Sequence, residues 1–304
     1  MLIKKSNLKS QLLSEKSFKN EKEIQKFVSN NLLILFGLQH IKDEFSIRNS
    51  RIDTLAFDEE TQAFVVIEYK NTKSFSVVDQ GVAYLSNMLN NKADFILEYN
   101  ENKGKQLTRE DVDWSQSKVI FISPFFNNYQ KEAINFKDLP IELWQIKQYE
   151  NDLILLNQVN VSNPTESFNK ITSTSKEFDT VKKEIKVYTE EDHLKDKSED
   201  IVGLYEKIKD YVLSLDENIK VKATKVYISF TINKKIIIDI TPLKSKLKIW
   251  LNAPAGSIKD ERNIFRDVSN TGHWGNGDYE VSMSNDESFE YVMQYIKDLY
   301  NELK

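Results

Sequence analysis

Residues 51–71, RIDTLAFDEETQAFVVIEYKN, constrain this 304-residue chain more than any other stretch. Two runs rich in β-branched and aromatic residues flank a polar DEETQ turn, the pattern of two strands lying side by side. Side chains on a strand alternate between faces. Arg51 and Asp53 therefore share a face, as do Glu68 and Lys70, while Val65, Ile67 and Tyr69 turn the other way and are expected to bury against helices. Pairing of the two runs brings Asp53, Glu68 and Lys70 to one end of one sheet.

Two carboxylates a few ångströms apart on an apolar sheet repel unless a proton or a cation lies between them. The composition narrows which cation. There is no cysteine, so a thiolate site is excluded, and with the three histidines, His40, His193 and His273, far apart in sequence a multi-histidine site is not expected. Oxygen donors remain, and they suit Mg²⁺, Mn²⁺ or Ca²⁺ rather than zinc. The neighbouring Lys70 could orient a water or stabilise charge on a phosphate. A solvated strand edge that carries Asp, Glu and Lys by chance is the competing explanation.

The surrounding chain reads as a mixed α/β domain. A helix is expected over 19–38, with Asn20 as N-cap and Gly37 as stop, followed by strands at DEFSIR, RIDTLAFD and AFVVIEYK. A second amphipathic helix is expected over 77–91. DFILEY, KVIFIS and IELWQI read as further strands, with a helix-like YQKEAINF before the last. This domain is expected to span 1–160. Residues 161–197 are rich in Ser, Thr, Lys and Glu and read as a polar linker. A smaller α+β domain, 198–304, follows: a helix over 198–215, strands at VYISF, KIIIDI and KLKIWL, and a last helix that groups Phe289, Val292, Met293, Ile296, Leu299 and Tyr300.

Formal net charge is −5, divided as −2 over residues 1–160 and −3 over the rest, so neither half is a basic module. No apolar run is long enough to span a bilayer, and the first residues lack the features of a signal peptide, so a cytoplasmic protein is expected.

Further residues gather around the acidic strands. Gln80 and Tyr84 lie four apart in VVDQGVAYL, on one face of the second helix, and Glu21 stands at the start of the first. The order of an N-terminal helical glutamate, R-I-D, E-Y-K and Q-G-x-x-Y-L resembles the PD-(D/E)xK nuclease superfamily. More closely, it is similar to the NucS-like (DUF91-type) endonuclease domain. The resemblance covers about residues 15–157, and Ile52 stands where the motif name has proline.

The resemblance implies a restriction-endonuclease-like mixed sheet flanked by helices and metal-dependent hydrolysis of phosphodiester bonds in DNA, in repair or defence. It implies that Asp53 and Glu68 bind Mg²⁺ or Mn²⁺, with the Tyr69 carbonyl as a further ligand. Lys70 would position or activate the attacking water. Glu21 would complete the acidic shell, with Glu23 as the competing candidate. Gln80 would support the site, and Tyr84, Arg48, Arg51 and Lys73 would touch the DNA backbone. Single-stranded, branched and mismatched DNA are the candidate substrates, RNA stays open, and such domains often pair as homodimers. The competing class is a non-catalytic module that keeps the nuclease fold and binds nucleic acid or protein.

The C-terminal part resembles a DUF5655-type domain, a bacterial family of unknown function, most recognisably in TGHWGNGDYEVSMSNDESFEYVMQYIKDLY. Its glycines around His273 and Trp274 allow positive φ and close backbone approach. That tract is read as a tight turn in which Trp274 plugs the domain and Asn285 or Asp286 caps the last helix, rather than as a base-stacking loop. A role in recruiting a target or a protein partner is expected. No phosphate-binding G-x-x-x-x-G-K motif and no nucleophile-elbow serine occur.

Overall fold

The computed structural model describes residues 3–6, 9–48, 50–71, 76–104, 106–136, 138–159, 167–168, 175–270 and 275–304. They form two compact units, Met1–Val187 and Tyr188–Lys304.

The first unit opens with an antiparallel pair, β1 (Ile3–Ser6) and β2 (Lys9–Leu12). Its main sheet has seven strands: β3 (Glu15–Lys16), β4 (Gln39–Ile47), β5 (Ser50–Asp58), β6 (Ala63–Tyr69), β7 (Lys118–Ser123), β8 (Ile141–Tyr149) and β9 (Leu153–Gln158). The order is β3-β8-β7-β6-β5-β4, with β9 on the outer side of β8. β4, β5 and β6 run antiparallel, whereas β6–β7 and β7–β8 are parallel, so the sheet is mixed as expected. Helices cover both faces because β6 is apolar on both. Val65, Ile67 and Tyr69 meet α1 (Glu21–Ser29) and α2 (Leu32–Phe36) through Ile24, Val28 and Leu32. Phe64 and Val66 meet the other layer, built on α3 (Val77–Asn90) and α4 (Lys92–Lys103). A short α5 (Asn128–Ala133) precedes β8.

Helix α6 (Lys176–Glu184) arises from the polar segment read as a linker. Val181 and, at the residue that ends the helix, Ile185 lie four apart and join the core of the α3 layer.

Three local expectations are corrected. The helix over 19–38 is two helices. Asn20 caps the first as expected, its Oδ1 accepting from Glu23 N at 3.0 Å, and Gly37 closes the second at φ 69°. Between them Asn31 turns its Nδ2 back to the Phe27 carbonyl at 2.7 Å, and the chain changes direction. DFILEY is helical, inside α4, and not a strand. A run of three apolar residues shows no period of its own. Here Phe95 and Tyr99, four apart, enter the core, Leu97 is 56% exposed, and Gly104 ends the helix at φ 61°. The N-cap position of the last helix is Ser288, with no side-chain cap bond, and Asn285 accepts from Glu287 N at 3.1 Å, one turn too early.

The second unit places α7 (Glu190–Leu194), α8 (Glu199–Leu215) and α9 (Phe289–Leu303) with one antiparallel six-stranded sheet. Its strands are β10 (Lys220–Ala223), β11 (Ile228–Ile232), β12 (Lys235–Pro242), β13 (Leu247–Leu251), β14 (Arg266–Asp267) and β15 (Tyr279–Met283). The apolar stripe expected on the last helix is buried as a whole. The glycine-rich tract is in part explained. A Cβ on Gly275 would lie 2.4 Å from the Trp250 ring, and one on Gly277, at φ 93°, 2.0 Å from the Leu251 carbonyl oxygen. Between them Asn276 donates from N and Nδ2 to Asp239 Oδ2 at 2.7 and 2.8 Å. His273 and Trp274 lie outside the described residues. Among those residues no helix is long and apolar enough to cross a membrane.

Candidate active site

The pairing of β5 with β6 ends at Thr54 and Ile67, so Asp53 and Glu68 stand just past the end of the ladder. Ile52 and Leu55, three apart, both enter the same core, and strict alternation is therefore broken around Asp53. Freed from the ladder, Asp53 reaches across to β6, and its Oδ2 accepts the Tyr69 N–H at 3.0 Å. From α1, Gln25 donates Nε2 to the Asp53 carbonyl at 2.5 Å. Asp53 is thereby held at both its carboxylate and its main chain.

Glu68 is 3% exposed. Its Oε1 accepts from Lys70 Nζ at 2.7 Å and from Gln80 Nε2 at 3.0 Å, whereas Oε2 is buried without a hydrogen-bond partner. Gln80 Nε2 also lies 3.2 Å from the Tyr84 hydroxyl, which donates to the Arg51 carbonyl at 3.3 Å. The helical spacing of Gln80 and Tyr84 thus carries one chain of contacts from Glu68 to the main chain of β5.

Burial, then the charge of Asp53, raises the Glu68 carboxyl above its ordinary range despite the Lys70 ammonium. Burial raises Asp53 as well, with Glu44 and Glu21 adding to it and the Tyr69 N–H and Lys70 opposing. The Tyr84 phenol is also pushed upward by burial and by Glu68. The site is crowded with negative charge that its own donors do not fully offset.

Glu21, not Glu23, turns toward the strand end. Glu21 Oε1 accepts from Asn71 N at 2.9 Å, while Glu23 Oε2 is taken by the Lys19 N–H at 2.6 Å within the helix cap. Arg51 donates Nε to Glu44 at 3.0 Å, and Glu44 also pairs with Lys22 at 2.6 Å. Arg48 lies elsewhere, at the β4–β5 turn. There it lines a cavity of about 500 Å³ with Asp94, Leu97, Glu98 and Glu101. Lys73 is outside the described residues. The structure brings together Asp53, Glu68, Lys70, Gln80 and Tyr84, with Glu21 beside them, and not Arg48.

Gln25 and Asn71 were not anticipated from the sequence. The signal for Gln25 was present, since it lies one helical turn after Glu21 and beside the buried Ile24. The opposite face of the strands holds a separate polar chain. Tyr69 donates its hydroxyl to Thr54 Oγ1 at 3.2 Å, and Thr54 donates to Asp43 Oδ1 at 2.7 Å. His40 Nε2 lies 3.2 Å from the same oxygen.

Among the described residues, no group of three or more His, Asp or Glu side chains is arranged to hold a metal. The donor set fits a hard cation with fewer protein ligands. Two carboxylates of raised proton affinity and one buried, unpartnered carboxylate oxygen suit Mg²⁺ or Mn²⁺, which commonly keep several waters beside one or two carboxylates.

One comparison with known proteins falls within the second unit. A family model, "Domain of unknown function (DUF5655)", matches residues 190–301. An uncharacterized protein from Haemophilus influenzae is 52% identical over 285 residues, covering 94% of each chain. Solved structures resemble parts of the fold. A repair endonuclease from Pyrococcus abyssi is 17% identical, covering 43% of this chain and 49% of its own, at a TM-score of 0.26. An EndoMS–dsDNA2 complex is 15% identical, covering 40% and 43%, at 0.23. Pyrococcus furiosus SfsA in complex with Ca²⁺ is 16% identical, covering 47% and 63%, at 0.25. The chain spans about half the length of the first two structures and less than two thirds of the third.

Proposed function

The chain belongs to the same family as the Haemophilus influenzae protein, and from the site it carries we propose that its first unit is a metal-dependent nuclease acting on DNA. One observation carries the reading: Asp53 and Glu68 meet at the end of a strand pair, both with raised proton affinity, and Glu68 keeps a buried oxygen without a partner. A structural ion pair would be complete with Lys70; this site has one more carboxylate than its donors offset. The order Glu21, Asp53, Glu68-x-Lys70, Gln80 adds support, being that of PD-(D/E)xK nucleases.

Asp53 and Glu68 would hold Mg²⁺ or Mn²⁺, with the Tyr69 carbonyl as a further donor. When bound, the ion supplies Lewis acidity and lowers the pKa of water. Lys70, whose Nζ lies 2.7 Å from Glu68 Oε1, would orient a water or a phosphate oxygen beside the two acids. Gln80 and Tyr84 keep Glu68 in register with β5. Glu21 ties α1 to the main chain after Lys70, and Arg51 lies at the edge where a DNA backbone would approach.

The test is calorimetric titration with Mn²⁺, together with incubation with single-stranded, branched and mismatched DNA in Mg²⁺ and Mn²⁺, with RNA as a further arm. Wild type should bind Mn²⁺ and cut at least one DNA, and Asp53→Ala should lose both. Metal binding and cleavage unchanged in Asp53→Ala would overturn the assignment.

A further inference from the structure

Charge is balanced between the halves of this chain but segregated within the second unit. Between Glu217 and Asp260 there are nine lysines and one carboxylate, Asp239. Asp239 is 0% exposed and is held by Asn276, so it offers no charge at the surface. The rest of that unit carries twenty carboxylates against eight basic side chains. The basic stretch is the four strands β10 to β13.

The strand register places these lysines. Lys220 pairs with Thr231 and Lys222 with Ser229; Ser229 pairs with Asp239, and Lys248 with Thr241. Cross-strand partners share a face. Lys220, Lys222 and Lys248 therefore lie on the hydroxyl-bearing face, opposite Phe230, Ile238 and Ile249, which pack with α8 and α9. Lys248 is taken by Glu280 Oε2 at 3.0 Å, and Ser229, Asp239 and Trp250 on that face are buried, so the basic surface lies at β10 and not at the middle of the sheet. Lys234 and Lys235 stand where β11 turns into β12, through Asn233 and Lys234 at φ 48° and 64°. That turn brings Lys234 beside Lys220; desolvation and then the neighbouring ammonium push Lys234 down to about 8. The Lys220 and Lys234 ammonium groups thus lie near each other at this end of the sheet.

We propose that the lysines of β10 and of the β11–β12 turn bind the phosphodiester backbone of nucleic acid. Lys220 and Lys222, two apart on one strand, are spaced by about 6.8 Å, comparable to successive phosphates along one strand. The large apolar side chains exposed among the described residues all belong to the first unit. A lipid surface or an amphipathic helix would call for such residues here. The proposal deepens the nuclease reading by naming where the substrate backbone is gripped, and rests on it only for the choice of DNA as probe.

The experiment measures anisotropy of labelled single-stranded and duplex DNA with the full chain in EDTA, over a range of salt. Replacing Lys220, Lys222, Lys234 and Lys235 together by Ala should flatten the slope of log K against log salt by ~3 and weaken binding at least ~100-fold. Arginine at the same four positions should retain the slope. A control with Lys195, Lys197 and Lys297 changed to Ala should stay within about twofold of wild type. An unchanged slope in the four-alanine variant, an equal loss in the control, or tighter binding to phosphatidylserine vesicles than to DNA would overturn the proposal. So would loss in the arginine variant with an unaltered circular dichroism melt. The nuclease reading fails separately: a wild type that binds in EDTA and never cuts in Mg²⁺ or Mn²⁺ counts against it and leaves this grip standing.

Discussion

Gln25 on α1 donates its side-chain amide to the main-chain carbonyl of Asp53 at 2.5 Å, just where β5 has left the β6 ladder. Gln25 is 4% exposed, so water cannot readily replace it. The bond pins the backbone beneath a carboxylate that accepts the Tyr69 N–H on its other side.

Gln25→Leu should therefore cost ~1–3 kcal/mol of stability, the penalty of leaving a buried carbonyl unpaired. It should also weaken Mn²⁺ binding ~10-fold or more, as loss of a group that orients a metal ligand does. Chemical denaturation and calorimetry read the two effects. Unaltered Mn²⁺ affinity would show that Asp53 needs no such support.

The acid pair makes stability depend on pH. Both folded pKa values lie above those of the unfolded chain, so between the two the folded protein binds more protons and stability falls as pH rises. In EDTA their contribution should be most favourable below the ordinary carboxylate range and lost as pH passes through the raised values. Asp53→Asn should then raise the melting temperature at pH 7 without metal, and Mn²⁺ should stabilise wild type but not this variant. A melting temperature lowered by Asp53→Asn in EDTA at pH 7 would contradict the assigned charge crowding.

Lys70→Met separates metal binding from turnover. The substitution leaves both acids in place and removes the ammonium 2.7 Å from Glu68 Oε1. Cleavage should fall by ~10²–10⁴, the usual worth of a group that positions or activates a proton-transferring water, while Mn²⁺ still binds. Single-turnover cleavage at saturating metal gives the comparison, and near-normal rates would remove Lys70 from the chemistry.

Two glycines of the second unit should respond oppositely to alanine. Gly203, inside α8, has nothing within 4 Å of a built Cβ. Gly203→Ala should stabilise by ~0.5–1 kcal/mol, the helix-propensity difference. Gly277 combines φ 93° with a Cβ 2.0 Å from the Leu251 carbonyl oxygen. Gly277→Ala should destabilise by ~2 kcal/mol or more, through backbone strain and a contact that no rotamer relieves. Thermal melts of the two variants check both signs.

By itself, the sequence determined the elements whose burial is periodic. The stripes of α3 and α9 repeat at helical spacing, and the β5–β6 pair is marked by two β-branched and aromatic runs about a polar turn; both signals survive whatever packs against them. The motif order brought Asp53, Glu68, Lys70 and Gln80 into view for the same reason, since each sits at a fixed step along such an element. Tertiary structure decided what depends on a partner far along the chain. DFILEY became a helix because Phe95 and Tyr99 found one core together, and the choice of Glu21 over Glu23 turned on the Asn71 N–H, 50 residues away. Gln25 could be recognised as the support of Asp53 only once β5 was seen to leave its ladder. The basic edge of the second unit, hidden in a balanced net charge, emerged when the register set Lys220 and Lys222 on one face and the β11–β12 turn brought Lys234 beside them. Local periodicity is written in the chain, whereas a contact between distant residues exists only after folding has closed the loop between them.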